Sequence, residues 1–160
     1  AQVLVNDLTV ETLWADQDQL NVLVPLTAAG PTRFEVTRAG QSSNAESVPV
    51  LPAAPALFTL SRNGYGQAAA LNADGTLNSY EQPAAPGSIV VLYATGAATG
   101  SVTVAGLETQ TLYFGPAPGM APGILQINIR LPDRLPSGPA PVIIRSGAAF
   151  SPSTATIAVR

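Results

Sequence analysis

The sequence contains no cysteine, no histidine and no lysine. Without cysteine the chain can form neither disulfides nor thiolate-based sites. Without histidine it lacks the commonest general base and the commonest ligand of transition metals. Without lysine it can form no Schiff base, and its edge strands lack a side chain that often keeps other strands away. The usual nucleophiles and metal centres therefore lack their parts, and we predict a non-enzymatic protein without a cofactor.

Charge is also scarce. Charged residues make up 11% of the chain, against about 25% in an average soluble domain. The net charge is −3, and the seven basic residues are arginines scattered from Arg33 to Arg160. Because phosphate binding needs clustered basic residues, we expect no nucleic acid partner. No apolar run approaches the roughly 18 residues of a membrane span, so we predict none.

An internal repeat organises the chain. Its matching segments, first copy against second, are residues 3–14 with 102–113, 19–25 with 126–132, 30–31 with 138–139, and 45–50 with 154–159. A repeat of this kind constrains the architecture more strongly than local propensity does.

Both copies have the pattern of short strands. Fifteen prolines and fourteen glycines leave little room for long helices. Residues 32–38 alternate apolar Phe34 and Val36 with polar neighbours, the period of a half-buried strand. We therefore predict an all-β fold of two immunoglobulin-like antiparallel β-sandwich modules in tandem, joined by a proline-braced β-hairpin connector.

The predicted boundaries follow the repeat and the prolines. Residues 1–51 form the first module, 52–86 the connector and 87–160 the second module. Within the connector, residues 72–75 have the composition of a tight hairpin turn. Residues 67–71 could form a strand or one helical turn, and the surrounding glycines favour the strand.

The first copy lacks a strand that the second copy has. Residues 87–96 read as a strong strand directly before the second copy, whereas only two residues precede Val3. Two or three inward side chains of such a strand are worth about 1.5–3 kcal/mol each on burial, which is comparable to much of a small domain's stability. We expect an open sheet edge at Val3 and Val5 and self-association through it. The replacement strand could come from the connector, from a longer precursor or from another copy.

Two acidic loops are weak metal candidates. Asp16 and Asp18 are two residues apart, as in calcium loops, and Asn72 and Asp74 lie in an oxygen-rich turn. A calcium site needs about six or more oxygen ligands, and few other acids are nearby in the sequence. We favour a polar loop at the first position and a hairpin turn at the second.

Exposed aromatic residues could stack on sugars. Tyr65 and Tyr80 lie in the connector and are the candidates for glycan binding. Trp14 and Tyr113 are equivalent in the repeat, which favours a shared packing role instead. Asn21 and Asn128 are also equivalent, and we expect their amides to hold adjacent loops through backbone hydrogen bonds.

Four segments carry a resemblance to a known family: residues 67–79, 85–96, 126–128 and 154–159. They resemble the signature of the Solibacter-type uncharacterised C-terminal domain, and the similarity covers essentially the whole chain. The resemblance implies an extracellular or cell-surface, immunoglobulin-like β-rich unit with no assigned reaction. It also implies a strand before Val3, which this sequence does not contain.

These observations lead to two functional hypotheses. The first is a non-enzymatic extracellular structural protein, the self-assembling subunit of a fibre or surface layer joined by β-strand complementation. The alternative is an adhesion or carbohydrate-binding module at the end of a larger secreted protein.

Overall fold

The computed structural model describes residues 1–25 and 27–160, and these residues form strands and no helix. The chain divides into two compact units, Ala1–Pro52 and Ala53–Arg160. The prediction of an all-β, sandwich-like architecture is confirmed, since nearly all strand pairs are antiparallel. In the described part of the chain, no helix is long and apolar enough to cross a membrane.

In the first unit, residues 1–25 and 27–52 contain seven strands. They are β1 (Gln2–Val5), β2 (Leu8–Val10), β3 (Thr12–Ala15), β4 (Leu20–Val22), β5 (Gly30–Arg38), β6 (Gln41–Ser42) and β7 (Glu46–Val50). One sheet has the order β2-β1-β5-β6, and β7 also pairs with β5. The strands β3 and β4 form a separate two-stranded sheet.

The second unit contains eleven strands. They are β8 (Ala56–Leu57), β9 (Gly66–Gln67), β10 (Ala70–Asn72), β11 (Ile89–Thr95), β12 (Ser101–Val104), β13 (Leu107–Glu108), β14 (Gln110–Pro116), β15 (Leu125–Arg130), β16 (Gly138–Ser146), β17 (Ala149–Phe150) and β18 (Ala155–Val159). One sheet has the order β10-β11-β15-β14, with β8 also on β11. The other has the order β13-β12-β16-β18-β9, with β17 on β16. The pair β9–β18 is parallel.

The core of the second unit lies between these two sheets. Residues alternate between buried and partly exposed along β11, as expected for a strand with one face on the core. Val90 and Leu92 of β11 are buried in one cluster with Ile144 of β16 and Ile157 of β18. The central strands of both sheets therefore share a single core.

The segment predicted as a connector is part of the second unit. Its strands β8 and β10 pair with β11, and β9 pairs with β18. The predicted strand at residues 67–71 corresponds to parts of β9 and β10. The predicted turn closes through a hydrogen bond from Gly75 N to Asn72 O of 2.9 Å. Gly75 has a φ of +83°, which favours glycine over any residue with a side chain.

The two copies of the repeat have the same strand register. Strands β1 to β7 correspond one for one to β12 to β18, because each pairing in the first copy recurs in the second. Thus Val5 lies opposite Phe34, as Val104 lies opposite Val142. Both copies also have a register irregularity in the same place, between Thr12 and Trp14 and between Thr111 and Tyr113.

A hydrogen bond from a strand backbone to a serine side chain also recurs in the two copies. Val36 N donates to Ser43 Oγ at 3.0 Å, and Ile144 N donates to Ser151 Oγ at 2.9 Å. The two copies therefore share one plan, meaning the same arrangement of paired strands. The units differ in what covers these strands.

Candidate functional site

The main difference between the copies is at β4. Its counterpart β15 pairs with β14 on one side and, through six residue pairs, with β11 on the other. Among the residues that the structure describes, β4 pairs with β3 alone. The first unit therefore has an open strand edge where the second unit has β11.

The backbone groups of β4 point towards this open edge. Leu23 N donates to Glu11 O at 2.9 Å, and Gln19 O accepts from Asp16 N at 2.8 Å, so the odd-numbered residues of this stretch face β3. Because successive residues of a strand direct their N–H and C=O groups to opposite sides, those of Leu20 and Val22 face away from β3. We call the Leu20 and Val22 backbone groups, with β4 itself, the β4 edge.

Side-chain burial differs in the same region. Ile127 and Ile129 of β15 are fully buried, whereas their counterparts Leu20 and Val22 are partly exposed. On the opposite strand, Val48 of β7 is 49% exposed, while its counterpart Ile157 is 0% exposed. In the described part of the first unit only Val3, Val5 and Thr32 are buried. The first copy thus keeps the strands of the plan but buries few of its apolar side chains.

The prediction of an open edge at Val3 and Val5 is wrong. These residues are on β1, which pairs with β2 on one side and β5 on the other. The error has a simple cause. In the second copy β11 directly precedes β12 in the chain but pairs with β15 in the other sheet, so the place for a strand equivalent to β11 in the first copy is beside β4 and not beside β1.

Sequence reasoning also missed the role of Asn78. This side chain is fully buried and makes four hydrogen bonds within the second unit. Its Nδ2 donates to Asn72 Oδ1 at 3.0 Å and to Ala158 O at 2.9 Å. Its Oδ1 accepts from Gln67 Nε2 at 2.9 Å and from Ala158 N at 2.8 Å. Asn78 therefore links residues 52–86, the segment predicted as a connector, to the outer side of β18. Only the burial of Asn78 in the structure reveals this role.

In the metal candidate at residues 72–75, Asp74 Oδ1 and Asn72 Oδ1 accept hydrogen bonds from nearby residues. Asp74 Oδ1 accepts from Thr76 N at 3.0 Å and from Thr76 Oγ1 at 2.7 Å. The side-chain hydrogen bond from Thr76, with the backbone bond, lowers the pKa of Asp74. Asn72 Oδ1 accepts from Asn78. These contacts support the interpretation as a turn.

The side chains of the other metal candidate, Asp16 and Asp18, form hydrogen bonds with their sequence neighbour Gln17. Asp16 Oδ1 accepts from Gln17 N at 2.7 Å, and Asp18 Oδ2 accepts from Gln17 Nε2 at 3.1 Å. Within residues 1–25 and 27–160, no three side chains of the Asp, Glu, His or Cys type come together. These contacts support the interpretation of residues 16–18 as a polar loop.

The aromatic candidates are on the surface. Tyr65 is 64% and Tyr80 is 87% exposed. Trp14 is 44% exposed, so its expected packing role holds for only part of the ring. Its counterpart Tyr113 is also partly exposed and donates its hydroxyl to Pro116 O at 2.8 Å.

The repeated asparagines form the same contact in both copies. Gln19 Nε2 donates to Asn21 Oδ1 at 2.6 Å, and Gln126 Nε2 donates to Asn128 Oδ1 at 3.0 Å. Each asparagine thus bonds to the side chain of a glutamine two residues before it, and these bonds differ from the predicted backbone contact with an adjacent loop.

Compared with models of protein families, with curated proteins and with solved structures, the chain matches none. The resemblance to the Solibacter-type domain therefore stays a prediction.

Proposed function

We propose that this protein is a non-enzymatic structural protein of the cell exterior whose copies are joined by β-strand complementation at the β4 edge. Its units would be immunoglobulin-like modules, and the assembly a fibre or a surface layer. The single observation that carries the proposal is the open β4 edge in a copy that otherwise repeats the register of the closed second unit.

The energetics favour completion of the first unit. In the second unit β11 buries Val90, Leu92 and Ala94 completely. Large apolar side chains contribute about 1.5–3 kcal/mol each when they are buried, and an added strand also satisfies the backbone groups of the edge. Since a small domain is stable by only about 5–15 kcal/mol, such a strand is a large share of the total.

Little on β4 opposes pairing with another chain. Natural sheets protect their edges with charges, lysine above all, or with proline. Residues 19–24 carry no charge, and the first proline is Pro25, after the end of the strand. We propose a second copy of the chain as the partner. A head-to-tail contact between copies extends into an open polymer when its rotation does not close into a ring.

Sedimentation of the full chain over a range of concentrations tests this proposal. Val22→Pro removes an N–H on the open side of β4 and leaves the bonds to β3 in place. Thr9→Pro is the matched control, since Thr9 lies on the edge strand β2 of the same unit. We expect assembly that grows with concentration in the wild type and in Thr9→Pro, and a monomer in Val22→Pro. A wild-type monomer at every concentration, or growth that stops at a dimer, would contradict the proposed polymer.

The exposure of Tyr65 and Tyr80 supports a second candidate, a carbohydrate-binding module. Aromatic rings at the surface can stack on sugar rings, and both tyrosines lie in the segment that precedes β11. A glycan array tests it: tight binding that is lost in Tyr65→Ala or Tyr80→Ala supports this function, and no binding to any glycan contradicts it.

A further inference from the structure

We propose that the β4 edge accepts one uncharged strand with the residue pattern of β11, and that Pro49 closes the other open edge of the first unit. This inference rests on the proposed function, since both use the β4 edge. It adds the chemistry of the partner strand and the reason why a single strand completes the unit.

The second unit receives strands at two places. One is the antiparallel addition of β11 to β15. The other is a parallel segment along β18, where Gly66 N donates to Thr154 O at 2.9 Å and Ala68 N to Thr156 O at 2.8 Å. This second addition ends in the Asn78 contact, in which Ala158 N donates to Asn78 Oδ1.

The first unit cannot repeat the parallel addition seen along β18, because the counterpart of β18 is β7 and β7 contains Pro49. Pro31 pairs with Pro49 as Pro139 pairs with Ala158, so Pro49 stands at the position of Ala158. Proline has no backbone N–H, and it is typical of edge strands that are not extended. Glu46 adds an exposed charge to the same strand. A proline and a charge therefore protect the outer side of β7 against pairing with another strand, and β4 has neither.

The protection at β7 limits what can bind. The whole block of residues 53–95 from a second copy would bring Asn78 to Pro49, which has no N–H to replace the one that Ala158 donates to Asn78 Oδ1. Asn78 Oδ1 would keep the bond from Gln67 Nε2 and lose one of the two hydrogen bonds that it accepts. A single strand at β4 avoids this loss. The geometry thus favours a lone strand over an exchanged block.

The register of β11 defines the pattern of the partner strand. Val90 lies opposite Ile129 and Leu92 opposite Ile127. In the first unit those positions correspond to Val22 and Leu20. The partner strand therefore places apolar side chains opposite Leu20 and Val22. The residue between these two positions lies opposite Asn21, and its side chain is on the other face of the sheet. Because β4 has no charge to pair, a charged residue at either apolar position would be desolvated without compensation.

A synthetic peptide of residues 88–95 with a terminal tri-lysine tail tests this inference on the full chain. Trp14, the only tryptophan, lies on β3 beside β4 and reports binding by its fluorescence. We expect a saturable change at one peptide per chain. A peptide with aspartate in place of Val90 and Leu92 should bind at least about tenfold more weakly, a loss of about 1.4 kcal/mol or more.

Backbone methylation provides a matched pair of controls that needs no protein variant. Tyr93 N donates to Ala69 O, away from β15, so by alternation the N–H groups of Val90 and Leu92 face β15. Peptides methylated on the nitrogens of Val90 and Leu92 should fail to bind. Peptides methylated at Val91 and Tyr93 should bind like the parent peptide.

The outcomes separate this inference from the proposed function. Assembly of the full chain without any binding of the peptide overturns the inference and leaves the function standing. Binding of the peptide to a chain that is monomeric at all concentrations supports the inference and overturns self-assembly. Saturation at two peptides per chain, or equal binding of the two methylated peptides, contradicts the single-strand model.

Discussion

The two units of this chain share a strand plan and differ in what covers it. The seven strands of the first unit pair in the same register as β12 to β18, down to the irregularity before Trp14 and Tyr113. Yet Ile157 is fully buried while its counterpart Val48 is half exposed. The repeat therefore accounts for the strand pairing of both units, whereas β11 and the segment before it cover the repeat in the second unit and bury its apolar side chains.

The largest effect should come from truncating equivalent core positions. Ile127→Ala removes a fully buried side chain and should destabilise the second unit by about 2–5 kcal/mol. Leu20→Ala, at the equivalent position, should cost less than about 1 kcal/mol in dilute protein, because Leu20 is already partly exposed.

Urea unfolding measures both variants. Trp14 fluorescence follows the first unit and circular dichroism follows the whole chain. Equal losses of stability in the two variants would show that the first unit has a closed core and would contradict the partial exposure of Leu20.

The next largest effect should be that of Asn78→Ala. The change removes the four side-chain hydrogen bonds of Asn78 and leaves Ala158 N, a buried donor, without a partner. Ala158 O keeps the bond from Ala84 N, and the Gln67 amide keeps its bond to Asn78 O. We expect the second unit to lose about 2–3 kcal/mol, with the Trp14 transition unchanged.

Asn128→Ala is the control for this variant. Asn128 accepts one side-chain bond, from Gln126, and is only partly buried, so its loss should cost about 0.5–1.5 kcal/mol. A loss of stability in Asn78→Ala no larger than that in Asn128→Ala would contradict the role given to the Asn78 contacts.

The smallest effect should be the acid sensitivity of the turn at Asp74. Hydrogen bonds from Thr76 lower the pKa of Asp74 in the folded chain. The ionised carboxylate therefore stabilises the turn above its unfolded pKa, and this contribution is lost as the pH falls through the folded pKa. Asp74→Asn should reduce the acid-induced loss of stability of the second unit, as measured by urea midpoints from neutral to strongly acidic pH. The Trp14 transition should be unaffected, and an unchanged acid response in Asp74→Asn would exclude this role.

The sequence was sufficient for the elements that depend on local pattern. The repeat and the alternation around Phe34 and Val36 predicted strands, and residues 72–75 predicted a turn that the structure contains. The location of the open edge was not predictable in the same way, because strands that are neighbours in the chain, β11 and β12, lie in different sheets. Asn78 was missed because its partner Ala158 lies 80 residues away along the chain. Contacts of that kind carry no local signal in the sequence.

The most direct test of the central claim is amide hydrogen exchange at Leu20 and Val22 in the full chain. In dilute monomer we predict that both amides exchange rapidly, while those of Ile127 and Ile129, paired with β11, are protected. On assembly, or after addition of the peptide of residues 88–95, the Leu20 and Val22 amides should become protected and that of Thr9 should not change. Strong protection of Leu20 and Val22 in the dilute monomer would mean that the β4 edge is already paired, and would contradict the account.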